Sequence, residues 1–354
     1  EETVRVDMND GMDNQAMFWK LPTINAFHSI VPGSVMEFYP TIGISRGVAT
    51  RPETKHYAVR SLTSVRWLFD HANTSGRENK SSFFESNGTT QMPGWSYVDT
   101  QNDFKIYENE YYIPMGFTYD AMLTRTQYNA LSESNRELAL LKALVVEDED
   151  APALSGMLTP LSNAVSYSKE AYYADCLARK AESAPSFVRD NRGFTATIQV
   201  EKDTPVFFSV PYEDGWTATV DGQAAEIYKV NVGFMAVICP ATGGEGTIRF
   251  DYHTPGLFYG LLITLGAVLL FLLYYFLMRV WDGRMRRRLE AEIPLVPLDS
   301  GDGPDELRTD APADSPPASG RENTADGFDL YQYYGGGISP LPKEPPDRSS
   351  QNGS

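Results

Sequence analysis

The chain has 354 residues, a formal net charge of −17, 42% hydrophobic residues and 22% charged residues. That composition excludes a chain disordered throughout, and the acidity excludes the basic face of a nucleic-acid binder. The two cysteines exclude a disulfide-dense scaffold and a Cys-rich zinc module. The length predicts about two or three domains. The first residue is Glu1 rather than Met, which reads as a fragment or a processed chain.

Taken in chain order, residues 1–120 read as a mixed α+β region. Thr3–Met8, Val65–Phe69 and Phe104–Ile113 are expected strands, and the polar stretch 71–92 is an expected loop. Residues 121–191 read as a helical segment. Met122, Leu131, Leu138, Leu141 and Leu144 fall on a helical spacing, so a helix is predicted over Ala121–Leu144, ended by the acidic run Glu147–Asp150. A second helix is predicted over Ser168–Ala184, with Ser168 as its N-cap.

Residues 192–256 read as a small antiparallel β-sandwich. Phe194–Val200 and Trp216–Val220 alternate polar and apolar residues, and Val206–Val210 is a short apolar run. Ile227–Val230, Phe234–Ile238 and Thr247–Tyr252 bring the expected total to about six strands. Asp221-Gly222 is a type I′ hairpin signal, because both turn positions need positive φ.

Leu257–Met278 contains no charged residue. At 1.5 Å per residue it extends about 33 Å, enough to cross a hydrocarbon core of about 30 Å. Phe258 and Tyr259 mark one end, and Tyr274, Tyr275 and Trp281 the other, as interfacial belts do. A transmembrane helix is therefore predicted over 257–281, with the lipid bilayer as its partner. Arg279, Arg284, Arg286, Arg287 and Arg288 follow it, while Asp251–Gly256 has no Lys or Arg. The positive-inside rule then places 1–256 outside and the C-terminal side in the cytoplasm.

The remaining stretch, 282–354, is a basic flank followed by a tail. From Glu290 onward the tail has 13 acidic and 4 basic residues, with ten prolines and few large apolar groups, so it is expected to be disordered. SPPASG and PLPKEPP within it have the look of SH3-type ligands, and Tyr331–Gly337 that of a partner-binding stub; a solvated acidic tail accounts for the same residues.

Few residues point to chemistry. His28 could contact an acceptor or phosphate, or be a packed or capping histidine. The four histidines, His28, His56, His71 and His253, lack metal-ligand spacing, and Ser29 and Ser34 lie in no nucleophile elbow. Glu108, Asn109 and Glu110 lie among Tyr107, Tyr111 and Tyr112, and paired carboxylates beside aromatics suit sugar chemistry. On a strand Glu108 and Glu110 would share one face, which also describes a solvated strand face. Glu147–Asp150 lacks the spaced oxygen ligands of a calcium loop. Trp216 could stack on a sugar or belong to the core. Cys176 and Cys239 could pair in an oxidising compartment or remain buried thiols.

Six strings in order carry a resemblance. They are Met17-Phe-Trp-Lys-Leu-Pro-Thr-Ile-Asn-Ala-Phe-His-Ser29, Leu62-Thr-Ser-Val-Arg-Trp-Leu68, Tyr107-Glu-Asn-Glu-Tyr-Tyr-Ile-Pro-Met-Gly-Phe117, Val210-Pro-Tyr-Glu-Asp-Gly-Trp-Thr-Ala-Thr-Val-Asp-Gly222, Asn231-Val-Gly-Phe-Met-Ala236 and Phe250-Asp-Tyr-His-Thr-Pro-Gly256. Followed by a final apolar helix, they make residues 3–281 resemble the C-terminal part of the YfhO family of bacterial membrane proteins. The resemblance implies a polytopic protein of the GT-C glycosyltransferase type that modifies cell-wall polymers such as teichoic acids from a polyprenyl-phosphate sugar. It also implies that the catalytic carboxylate lies in an early outer loop outside this sequence. No cofactor is expected in these residues; a divalent cation is allowed for the whole protein. The acidic tail goes beyond the family pattern. The rival expectation is a single-span surface protein that binds carbohydrate and recruits a partner through its tail.

Overall fold

A computed structural model describes residues 3–8, 14–25, 27, 30–50, 52–71, 92–241 and 243–292. His28, Ser29, most of the expected loop 71–92 and the tail from residue 293 lie outside the described residues. The architecture is α+β, as the pattern of the sequence predicts.

The N-terminal sheet contains β1 (Arg5–Met8), β2 (Val65–His71), β3 (Trp95–Gln101) and β4 (Phe104–Asn109), in the order β1-β2-β4-β3. β1 pairs parallel to β2, and the other pairs are antiparallel. β3 and β4 are joined through Asn102 and Asp103, both at positive φ (49° and 63°), as a tight hairpin requires. β4 ends at Asn109 instead of running to Ile113. The Asn109 Oδ1 accepts the Tyr111 N–H at 3.0 Å, and that local bond turns the chain out of the sheet. α1 (Gln15–Phe18) and α3 (Tyr57–Leu62) pack on this sheet, and α2 (Gly33–Thr41) lies between them in the chain.

The seven-stranded sheet runs β5-β11-β15-β14-β7-β6-β8. Its strands are β5 (Phe117–Thr118), β6 (Ala121–Thr124), β7 (Leu144–Val146), β8 (Thr159–Pro160), β11 (Thr204–Pro211), β14 (Ile227–Val230) and β15 (Phe234–Cys239). The expected helix over Ala121–Leu144 is instead β6, α4 (Arg125–Ala130), α5 (Glu133–Lys142) and the start of β7, with β6 and β7 parallel. Thr124 ends the strand and caps α4, accepting the Gln127 N–H while the Gln127 side chain accepts the Thr124 N–H. Apolar residues at Met122 and Leu144 fit a helical spacing, but they fill short buried strands at the two ends of a crossover. The acidic run Glu147–Asp150 lies in the turn before α6 (Ala151–Leu154), and α7 (Lys169–Ala181) starts at Ser168, whose hydroxyl accepts the Ala171 N–H.

The five-stranded sheet runs β13-β12-β16-β10-β9. It contains β9 (Ser186–Arg189), β10 (Gly193–Gln199), β12 (Trp216–Val220), β13 (Gln223–Ala225) and β16 (Glu245–Tyr252). Asp221 and Gly222 turn the chain between β12 and β13 at φ 50° and 77°. Phe194, Ile198, Ile248 and Phe250 of this sheet pack on Val206, Phe208, Met235 and Val237 of the seven-stranded sheet, which gives the sandwich its core. The opposite face of the seven-stranded sheet buries Phe207, Val230 and Ala236 against α2, α5 and α7. Val206–Phe208 is covered on both faces, hence its unbroken apolar run.

The sandwich therefore does not end at the expected boundary between 191 and 192. One of its layers continues into β5, β6, β7 and β8, because β14 pairs with β7 at Val230 and Val146 and β11 pairs with β5. Residues 121–181 are part of that sheet and its cover, and 186–189 form the edge strand of the other sheet, so 121–191 is not a separate helical segment. After β16, Thr254–Gly256 leads into α8 (Leu257–Glu292), with Gly256 at φ 77°. α8 is the one described helix long and apolar enough to cross a membrane, and none of its residues is buried. It runs past the expected end at 281, carrying the arginine cluster on the same helix.

Candidate functional site: an aromatic groove beside the membrane helix

The register of β12 and β16 places Trp216 opposite Tyr252, four residues before Gly256. The two rings meet edge to face at 5.0 Å. Trp216 also touches Phe194 (5.8 Å) and Phe250 (6.2 Å), so part of the indole joins the core while the rest lines a groove of about 460 Å³. Val210, Pro211, Glu213, Tyr252 and the β9–β10 turn at Arg189–Gly193 form its other walls. That volume is within the range of small-molecule pockets.

The turn is held firmly. Asp190 Oδ1 accepts the N–H groups of Arg192 (2.8 Å) and Gly193 (2.9 Å), and Asp190 Oδ2 accepts Arg249 Nη1 at 2.7 Å. Arg249 Nη2 also donates to Asp251 Oδ1 at 2.6 Å. These bonds, that from Arg249 first, hold the Asp190 carboxyl far below the usual carboxylate range. The Arg192 carbonyl accepts the Tyr252 N–H at 2.8 Å, tying the turn to the strand that leads into α8. The Tyr252 hydroxyl donates to Glu213, and this bond to a carboxylate pushes its own pKa up. Gly215 has no room for a side chain, which would overlap the His253 carbonyl and the Tyr252 ring. The result is an aromatic floor with a carboxylate and a phenol held in place and two arginines on its rim, an arrangement able to take a ring with several hydroxyls.

The other expected site residues fall elsewhere. Glu108 is on β4, where its Oε1 accepts Arg66 Nη2 at 2.8 Å. Asn109 is wholly buried, donating to Ser61 Oγ (3.2 Å) and to the Val65 carbonyl (3.1 Å). Glu110 follows the strand, exposed, so the two glutamates do not share a strand face. His28 lies outside the described residues. Nothing brings Glu108, Asn109 or Glu110 into the groove around Trp216. Among the described residues no three His, Cys, Asp or Glu side chains could hold a metal ion. Cys176 and Cys239 are free and buried, and burial pushes their thiols up to about 12 and about 11. Glu213, Arg192 and Tyr252 escape a reading of the sequence. The only signal is the alternation of β16, which fixes which of its residues can face Trp216.

An α+β domain with an aromatic groove, continuing without a break into an exposed apolar helix, defines a membrane protein with a folded domain beside its span. A family model described as bacterial membrane protein YfhO matches residues 4–175 and 169–264, and the chain belongs to that family. No curated protein matches the chain.

Proposed function

We propose that the chain is the extracytoplasmic domain and last span of a glycosyltransferase-type membrane protein that modifies cell-wall polymers of the teichoic-acid type from a polyprenyl-phosphate sugar. These residues act as an accessory domain that positions substrate, and the catalytic carboxylate belongs to an outer loop elsewhere in the protein. Family membership supports the reading. The observation that carries it is the groove around Trp216, an aromatic and polar surface at the foot of the domain. Residues 1–256 lie outside the bacterial cell membrane and the tail in the cytoplasm, on the strength of the five arginines after Met278.

The test uses the full chain in zwitterionic nanodiscs. A teichoic-acid-like glycan should bind, and Trp216→Ala should weaken it by about tenfold, equivalent to about 1.4 kcal/mol. Unchanged affinity in a variant that keeps its melting temperature would remove the groove from the reading. Supplied with donor, acceptor and divalent cation, the chain alone should transfer no sugar; turnover above a boiled control would make it more than an accessory domain. Sidedness is read separately by labelling intact cells. Ser155→Cys should react with an impermeant thiol reagent and Ser315→Cys should not, and the reverse pattern overturns the orientation. Both native thiols are buried, so the background is low.

A further inference from the structure

The two buried arginines among the described residues each hold a carboxylate: Arg60 Nε donates to Asp7 at 2.8 Å and Arg179 Nη2 to Asp120 at 3.2 Å. Half-buried Arg5 holds none among the described residues. Its Nη1 donates to the Thr63 carbonyl (2.8 Å) and Ser209 Oγ (2.9 Å), and its Nη2 to the Ser209 carbonyl (2.8 Å), all neutral acceptors. Burial without a counter-ion disfavours a cation, and it pulls the Arg5 guanidinium down to about 10.

Arg5 lines a cavity of about 290 Å³ whose walls include Ile24, Val35, Phe38 and Phe234, and into which Arg46 and Tyr39 also face. Arg46 has no carboxylate partner among the described residues either. Its Nη1 donates to the Gly47 carbonyl at 2.8 Å, and its buried Nε has no partner. Tyr39 is 7% exposed, and its hydroxyl makes no hydrogen bond among the described residues. Burial pushes that phenol up to about 12, so it remains a donor at neutral pH. Among the described residues no Asp or Glu lines the cavity, in a chain whose net charge is −17. One wall is α2, seated so closely that a side chain at Gly233 would overlap the Ser34 carbonyl. Two cations and one O–H donor thus share a half-open cavity with no counter-ion among the described residues.

We propose that this cavity is an anion site for the phosphate group of a soluble phosphodiester or phosphomonoester, with Arg5, Arg46 and the Tyr39 hydroxyl as its donors. Arginine forks match phosphate oxygens in charge and geometry. The apolar walls on one side lower the local dielectric and strengthen the attraction. Pro32 and Pro211 line both this cavity and the groove around Trp216, so a phosphate-bearing glycan can reach both; the anion site itself does not rest on the groove.

The experiment titrates the full chain, in nanodiscs of zwitterionic lipid, with inorganic phosphate and with a short glycerol-phosphate oligomer, read by calorimetry and ³¹P NMR. Saturable binding of both is expected, weakening as salt rises. Arg46→Gln and Tyr39→Phe should each weaken it by about tenfold or more without changing the melting temperature, and Trp216→Ala should leave phosphate binding intact. Arg5→Gln is a less decisive variant, since Arg5 also ties Thr63 to Ser209. The proposal is overturned if neither ligand binds, if Arg46→Gln and Tyr39→Phe bind as the parent does, or if polyglutamate competes as well as phosphate. It is also overturned in favour of a lipid headgroup if nanodiscs containing phosphatidylglycerol occupy the site unaided.

Discussion

The N-terminal sheet and the sandwich bury their interiors differently. Around the first, Asp7, Arg60 and Asn109 are at most 1% exposed, and each is held by several polar partners. Among the described residues from Phe194 to Phe250, no charged side chain is buried. A core of rings and branched chains tolerates exchange of similar shapes, whereas a buried polar network demands that every partner be present. The difference teaches where this protein is brittle, and substitutions on the two sides can sharpen or break it.

The largest effect is expected at Arg60. Its guanidinium holds Asp7 and also the carbonyls of Pro52 (2.7 Å), Glu53 (3.0 Å) and His56 (2.9 Å). Arg60→Met leaves Asp7 buried without its partner and should cost about 3–5 kcal/mol in chemical denaturation. Adding Asp7→Leu should restore much of the loss, because the double variant has no stranded charge. A single variant as stable as the parent would erase the contrast between the two interiors.

Asn109→Ala should cost about 1–3 kcal/mol, since it unpairs the Val65 carbonyl and the Tyr111 N–H and weakens the Ser61 hydroxyl's contact with Tyr172. A loss of substrate affinity with no change in stability would instead return Asn109 to the functional residues. In the sandwich, Gly222→Val should cost about 1–2 kcal/mol. No atom lies within 4 Å of the added Cβ, so the whole effect is backbone strain at φ 77°, and Gly222→Asn should cost less. Equal melting temperatures for the two variants would argue against the turn.

The smallest effect is a pH dependence. Asp190 is held below its ordinary pKa of about 4 by Arg249, so its contribution is present above that value and is lost as the pH falls through its folded pKa. Asp190→Asn should lower the melting temperature at neutral pH and flatten the acid limb of its curve against pH, the two curves converging in acid. An acid limb of unaltered slope would mean that the Arg249 contact contributes nothing to folding.

The two regions also differ in what their sequence reveals. β10 and β16 alternate because one face of each is buried, and Asp221-Gly222 announces its turn, so the sandwich strands are legible one by one. β3 is not, because only Trp95 of its seven residues is buried. The partners of β11 and β14 were illegible for another reason. β5 and β7 are two and three residues long, and such short strands look like parts of a helix until the sheet closes on them. Trp216 stood out by residue type, whereas Tyr252 became its neighbour only through the register of β12 on β16. The Arg5 cavity depends on a bond across 204 residues, which no local pattern can announce.

The short passage from Tyr252 to Leu257 has a mechanical meaning. Five residues reach at most about 17 Å even when extended, and here the first of them is clamped, with the His253 N–H donating to the Gly215 carbonyl at 2.8 Å. The domain therefore has no slack with which to leave the bilayer, and its encounters take place in a thin layer parallel to the surface rather than in the surrounding volume. For a ligand tethered to the same bilayer this raises the effective concentration without any added contact. A flexible insertion after Thr254 would give that advantage away while leaving every residue of the groove in place.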